Sequence, residues 1–447
     1  MSKFYKIKKP DLSAIKREKI FSKFFNEENG ECLLFIENTF DPYIHWDKLQ
    51  YKEPIPKGYS REELWYIIKF NRKTRLLQSP IITEDHKKFS WIKLPKLEKI
   101  FHEIDLNTGG ELFSSKVEGD KQEKQRLISR GIMEEAIASS QLEGASTSRK
   151  IAKQFLKEGR KPKNESEQMI LNNYSTMKII EEEYKDKEMT WDVLLELHKM
   201  ITKDTLTPEG DLPSLRDNKE TIFVTDKSSG IIYHEAPSVP FVKKELDRLI
   251  DFANDKSDKA FIHPIIKAIM LHFWIGYLHP FTDGNGRLAR LLFYWYLLKK
   301  DYWAFAYLPI SKIIKKSPTQ YTMAYVYSEQ DDYDLTYFIE YHINKIEQAV
   351  KEFKEYLDRQ SKKNLTMSKN SKINHSFNDR QIKLLQFLYG DPDERTSIRV
   401  HMNVFQVANK TAIKDLRELS EQGFLERKKQ GKNVYYYITE KAKKLFL

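Results

Sequence analysis

The densest concentration of reactive side chains in this chain is the twelve-residue stretch His279-Pro280-Phe281-Thr282-Asp283-Gly284-Asn285-Gly286-Arg287-Leu288-Ala289-Arg290. An imidazole with an ordinary pKa of about 6.5 can act as a general base near neutrality. His279 supplies one, although by itself a histidine closing a helix C-terminus is the commoner reading. Asp283 offers a hard oxygen ligand of the kind Mg²⁺ takes beside substrate phosphates, or a helix N-cap. Gly284, Asn285 and Gly286 at a helix start would leave backbone N–H groups pointing outward, which makes an anion site. Arg287 and Arg290 lie three apart and so share one helix face. Two arginines at a positive helix end repel one another unless an anion joins them, and a polyphosphate would satisfy both. Phe281 is the apolar member that would pin the loop. The set predicts phosphoryl or nucleotidyl transfer. There is no Gly-Lys-Ser/Thr cradle, so the usual triphosphatase loop is excluded.

These residues need elements to hold them. Ile265–Leu278 before the stretch and Leu291–Leu298 after it are the two most apolar segments of the chain. Each is apolar almost all round, which predicts two buried helices with the polar stretch as the turn between them. His263-Pro264 opens the first, with proline at a permitted first position.

Upstream, a helix is expected from Lys124 to Leu142, with Ile128, Ile132, Ala136 and Ile137 at helical spacing and Gly144 as its stop. Ser139 and Glu143 share its last face. A carboxylate in a last turn opposes the helix dipole, so Glu143 is either a tolerated surface charge or has a cationic partner elsewhere. Helices are also expected at Glu165–Tyr184, Trp191–Ile201, Val239–Asn254, Ser317–Ser328 and Leu335–Leu357. Within this helical background, Ile222-Phe223-Val224 and Ile231-Ile232-Tyr233 flank a turn composition and predict an isolated hairpin over 221–233. Two strands alone are marginal. The hairpin is therefore either decoration or an exposed edge that can receive an extended peptide.

Residues 1–115 are expected to be an N-terminal helical region, with Ser60-Arg61-Glu62-Glu63 as a capping box and Gly109-Gly110 as its end. The core would run over 116–358. Residues 359–377 are polar and rich in lysine and serine, a linker composition. Residues 378–447 form a separate unit. Three short helices are followed by a basic hairpin, Phe424–Arg427 with Val434–Ile438, which resembles a winged helix-turn-helix. Its third helix carries Lys410, Lys414 and Arg417 but also Asp415 and Glu418, so DNA and protein both remain open as its partner.

The whole chain bounds these readings. At 447 residues it is long enough for two to four domains. Its single cysteine, Cys32, rules out an internal disulfide and any cysteine-based metal site. The net charge of +11, from 76 basic and 65 acidic residues, suits an anionic partner, and suits lysine used for solubility equally well. The start of the chain shows no secretory pattern, and the longest apolar run is too short for a bilayer. A cytoplasmic protein with no membrane partner is expected.

The pattern His279-x-Phe281-x-Asp283-Gly284-Asn285-Gly286-Arg287-x-x-Arg290 resembles the signature of the Fic family, and Ser139-Ser140-Gln141-Leu142-Glu143-Gly144 resembles that family's inhibitory motif. The resemblance covers roughly residues 60–345. It implies a mainly α, Fic-type helical bundle that transfers AMP from ATP, with Mg²⁺, to a Tyr, Ser or Thr hydroxyl of a target protein or of the chain itself. By that resemblance His279 deprotonates the hydroxyl and Asp283 holds Mg²⁺. Asn285 with the amides of Gly284 and Gly286 would hold the α- and β-phosphates. Arg287 would meet the β-phosphate, Arg290 the γ-phosphate, and the hairpin would be the flap that aligns the target. Glu143, on the helix 124–144 with Ser139, would pair with Arg290 and hold activity down. Arg216 receives no role. The alternatives are removal of AMP or transfer of another phosphate-linked group on the same fold, or a DNA-bound nucleotide sensor. The target protein is not specified, and a homo-oligomer is compatible with all of these.

Overall fold

A computed structural model describes residues 4–25, 30–108, 121–206, 215–217, 221–226, 229–256, 260–374, 377–389, 395–431 and 433–446. The Gly109-Gly110 stop, the 115/116 boundary and the centre of the flap turn at Lys227-Ser228 lie outside the described residues.

The chain is mainly helical. Its centre is a pair of helices, Pro264–Leu278 (the incoming helix) and Asn285–Lys299 (the outgoing helix), which pack on each other. Nearly every side chain of both is buried, including Trp274 and Trp295. Burial all round follows from sequences without a polar face. His263 accepts the Ile265 N–H, and Pro264 starts the incoming helix where no amide is needed.

The helix Lys121–Leu142, which carries Ser139 and leads into Glu143, packs against the helix Glu165–Ile179 and against the outgoing helix. Its buried Glu135 accepts hydrogen bonds from the Tyr294 hydroxyl at 2.8 Å and from the Ser311 backbone N–H at 2.8 Å. A satisfied buried carboxylate fixes the register of this helix against its neighbour. The helix Trp191–Thr202 lies on the outgoing helix from another side.

Two expectations about secondary structure are corrected. The N-terminal region is not helical throughout: β1 (Leu76–Ile82) and β2 (Lys88–Ile92) form an antiparallel hairpin, and Ser90 of β2 bonds to the backbone of Tyr333 and Leu335. The helix Arg61–Thr74 starts at the Ser60–Glu63 capping box, with both reciprocal bonds present, and feeds directly into this hairpin. The stretch expected as a linker is helix as far as Asn374, in one element from Thr336. No glycine or proline interrupts that sequence. Its polar composition removes packing partners without breaking the backbone ladder.

The strands of the hairpin expected over 221–233 are shorter and shifted. β3 is Phe223–Thr225 and β4 is Ile232–Glu235, with a register irregularity between Val224 and Thr225. Ile222 and Ile231 fall just outside the strands.

The C-terminal unit has its own apolar core, including Leu384, Leu388, Phe405, Leu416, Leu419, Phe424 and Tyr436. Three helices, Asp379–Tyr389, Ile398–Phe405 and Asn409–Glu421, precede the hairpin of β5 (Leu425–Gln430) and β6 (Asn433–Ile438). Thr396 adds a bridge to Tyr436, making a third short rung. Among the described residues, no helix is long and apolar enough to cross a membrane.

Candidate active site

The motif loop is built from strained and clamped backbone. His279 ends the incoming helix in the left-handed region, at φ 47° and ψ 57°. A non-glycine residue there costs about 1–2 kcal/mol, so surrounding contacts must hold it. Arg216 does much of this. Its Nε donates to the His279 carbonyl at 2.8 Å and its backbone N–H to the Pro280 carbonyl at 3.0 Å, while Nη2 reaches the Pro237 carbonyl. Arg216 is thus a loop clamp that the sequence left without a role. Next, Phe281 is fully buried and stacks on the His198 ring with centroids 3.7 Å apart. His198 Nε2 lies 2.9 Å from the Asp283 carbonyl, so the proton sits on Nε2. His198 is the second loop residue that the sequence did not single out. Its signal was a histidine in register with Leu194, Leu197 and Ile201 on the buried face of its helix.

Gly284 caps the outgoing helix at φ +83°, and a methyl group there would lie 2.7 Å from Thr202 Cγ2. Only glycine fits both constraints. The N-cap is therefore Gly284 and not Asp283.

Two residues expected to touch phosphate are engaged inside the protein. The Asn285 amide is buried and bonds both ways to Phe281, accepting from its N–H at 2.9 Å and donating to its carbonyl at 2.7 Å. It shapes the loop rather than facing outward. Arg287 is fully buried, donating to the Ile201 carbonyl at 2.8 Å and to Asp283 Oδ2 at 2.8 Å. A short loop between two apolar helices has little room, so its polar groups satisfy each other first.

Arg290 and Glu143 meet. Arg290 Nη2 donates to Glu143 Oε1 at 2.8 Å, and Arg290 Nε and Nη2 bond the Ser139 hydroxyl and carbonyl at 2.7 and 3.0 Å. Burial opposes the Arg290 charge, but Glu143 and its hydrogen bond overcome that and hold the guanidinium pKa up. The Glu143 carboxylate also lies against Gly286, where any added methyl would overlap it. The first turn of the outgoing helix, the anion site inferred from the glycines, thus has a protein carboxylate pressed onto it.

His279 is partly buried. Burial first, and then the neighbouring His234 charge, push its pKa down to about 4. Near neutrality its imidazole is unprotonated. His234 sits on β4 with Nε2 2.8 Å from the Tyr277 carbonyl and Nδ1 2.7 Å from Glu329 Oε2. Both partners are acceptors, so both ring nitrogens carry protons. Burial works against that charge, but Glu329 outweighs it and raises the His234 pKa. This imidazolium ties the β3–β4 hairpin to the end of the incoming helix, beside the loop.

Asp283 is about half exposed, and its Oδ2 is held by Arg287. Among the described residues there is no group of three or more metal-ligating side chains. A single carboxylate plus phosphate oxygens still suits Mg²⁺, which keeps waters and binds through few protein groups.

Residues 188–297 match the model of the Fic/DOC family. The chain carries a Fic domain. The match takes in the helix Trp191–Thr202, the flap, the incoming helix, the motif loop and most of the outgoing helix. A protein adenylyltransferase Fic from Nematostella vectensis is 33% identical over 108 residues, 24% of this chain and 22% of that protein. The adenylyltransferase fic-1 of Caenorhabditis briggsae is 34% identical over 105 residues, 24% of this chain and 18% of that protein. The chain therefore spans about a fifth of the length of these relatives. A crystal structure of a Fic family protein from Desulfovibrio desulfuricans G20 aligns with a TM-score of 0.48 at 19% identity, over 77% of this chain and 96% of that one.

Proposed function

We propose that this chain is a protein adenylyltransferase held back by its own Glu143. The observation that carries the proposal is the Glu143 carboxylate on Gly286 and Arg290. An internal anion occupies the place and the cationic partner that the third phosphate of a nucleotide would use. Moving Glu143 away would leave Arg290 for that phosphate and the first-turn amides of the outgoing helix for the others. Asp283 would hold Mg²⁺ through one carboxylate oxygen, with Arg287 keeping the carboxylate in place. The metal would neutralise phosphate charge as it develops.

In the chemical step, His279 takes the proton from a target hydroxyl. The hydroxyl oxygen bonds to the α-phosphorus, the bond from that phosphorus to the bridging oxygen breaks, and pyrophosphate leaves. Arg216 and Asn285 contribute by holding the loop geometry. A 1 Å displacement of the base would cost about 10²-fold in rate. The test is incubation of the Glu143→Gly protein with ATP labelled at the α or the γ phosphate, with His279→Ala as the blank. Protein label from the α position alone supports AMP transfer. Label from the γ position, or label that persists in His279→Ala, refutes it.

For the C-terminal unit one observation favours a second, nucleic-acid role. Asp415 is fully buried, bonded to Arg380 and to His401. It therefore does not offset the exposed Lys410 on the same helix, where Lys414 and Arg417 are paired with Glu418 and Glu421, and Arg427 and Lys429 are exposed on β5. We infer a winged helix whose basic face meets duplex DNA. Anisotropy of a labelled duplex should show binding that weakens steeply with salt. Equal signal at 50 and 300 mM salt would count against it.

A further inference from the structure

The flap has an occupant. Phe4 forms a parallel bridge with Ile232 of β4, and the Tyr5 N–H donates to the Ile232 carbonyl at 2.8 Å. The segment then runs on past the end of the helix Pro318–Gln330. There the side chain of Gln330 binds it twice. Gln330 Nε2 donates to the Tyr5 carbonyl at 2.9 Å, and Gln330 Oε1 accepts from the Ile7 N–H at 3.0 Å. One primary amide reading a carbonyl and the N–H two residues on is a sequence-independent way to hold extended backbone. Side chains complete the seat. Phe4 meets Phe223 edge-on with centroids 5.8 Å apart, Tyr5 meets Tyr233 at 5.5 Å, and Ile7 is 6% exposed. Glu329, next to Gln330, is the residue that binds His234 of β4. The same helix end thus holds both the flap and the segment lying on it.

We propose that the outer edge of β4 together with Gln330 is a docking track for an extended peptide, and that Phe4–Ile7 is its tethered occupant, displaced when a target segment takes the same seat. The proposal rests on reading the hairpin as the target-aligning flap. The track fits an extended segment with an aromatic or β-branched residue at the Tyr5 place and an aliphatic residue two positions later. Proline is excluded at both places, since each must donate an amide. A tethered segment competes at an effective concentration in the millimolar range, so a weak contact is enough to screen out poor targets. This restraint acts on the hydroxyl-bearing partner, whereas Glu143 acts on the nucleotide.

The experiment uses the full chain without nucleotide, so its result does not depend on AMP transfer. A fluorescent peptide of the sequence Lys3–Pro10 is titrated against the unaltered protein and against Tyr5→Pro/Ile7→Asp, in which the internal segment cannot seat. Binding at least tenfold tighter to the double variant, lost again by tenfold or more on adding Gln330→Leu, supports the proposal. Equal binding to the unaltered and double-variant proteins, or no binding to a double variant whose circular dichroism is native, overturns it. Should the double variant not fold, hydrogen exchange decides. Slow exchange at the Tyr5 and Ile7 amides, accelerated by Gln330→Leu alone, supports the track, and unprotected amides in the unaltered protein overturn it. AMP transfer by Glu143→Gly, with and without the double substitution, separately reports the flap reading. If no AMP transfer occurs in either, the transferase reading falls while the binding result stands.

Discussion

Replacing Glu143 by glycine removes one charge-assisted hydrogen bond to an arginine whose side chain is only 4% exposed, from a carboxylate that is 27% exposed. A fully buried pair would cost about 3–5 kcal/mol to break, but here water reaches Glu143. Arg290 also keeps its two bonds to Ser139. The loss is therefore closer to that of one hydrogen bond to a charged group, about 2 kcal/mol. On the proposed reading, a triphosphate would have to displace this bond in the unaltered protein before using Arg290. Removing it in advance should raise AMP transfer about 30-fold, at about 1.4 kcal/mol per factor of ten. The same change leaves a buried guanidinium short of an anion, so the nucleotide-free variant should melt a few degrees lower. ATP should return most of that difference, since a ligand that binds only the folded state stabilises it. Transfer is measured with α-labelled ATP, and melting by differential scanning fluorimetry with and without ATP. A variant that melts lower, recovers with ATP and yet transfers no faster than the unaltered chain would refute the restraint. An unchanged melting temperature would refute the energetic account of the Glu143–Arg290 pair.

The Glu143→Gly background allows further measurements. Because burial holds the His279 pKa near 4, the base is lost only as pH falls through that value. The acid limb of kcat/KM should lie below pH 5, and a limb near 6.5 would mean an open, solvated imidazole. Arg216→Ala leaves the His279 and Pro237 carbonyls without their donor. It should destabilise the chain by about 1–3 kcal/mol in denaturant titration and lower kcat more than it raises the KM for ATP. Gly284→Ala adds a methyl against Thr202 at a left-handed position. It should cost at least 1–2 kcal/mol, and an unchanged melting temperature would contradict the loop geometry. Asp283→Asn should raise the Mg²⁺ concentration needed for half-maximal transfer at least tenfold, whereas an unchanged requirement would assign the metal contact elsewhere.

Much of the architecture was legible because its causes are local. Runs such as Ile265–Leu278 and Leu291–Leu298 have no polar face and can only be buried. The Ser60–Glu63 box and the stop at Gly144 are read from neighbouring residues. The hairpin β1–β2 was not legible, because one of its edges is completed by Tyr333 and Leu335, more than two hundred residues away. The stretch 359–374 misled for a different reason. Polarity argues against packing but says little about whether an uninterrupted helix ends.

The candidate site divides along the same line. By itself the sequence determined which groups are present: His279, Asp283 and Gly284 in one loop, Gly286 and Arg290 on the helix that follows it, and Ser139 with Glu143 at the end of a separate helix. Spacing along the chain fixes what a short loop between two helices can present. Only the tertiary structure decided which groups face outward and which are already engaged. It turned Asn285 and Arg287 inward, because a loop of this size must satisfy its own polar atoms before it can serve a ligand. It also brought in Arg216 and His198, whose roles come from carbonyls on other segments, and laid Phe4–Ile7 along the flap. The pairings of Arg216, His198 and Phe4–Ile7 have no signature in spacing, since each is set by which surfaces the packed helices bring within hydrogen-bond reach.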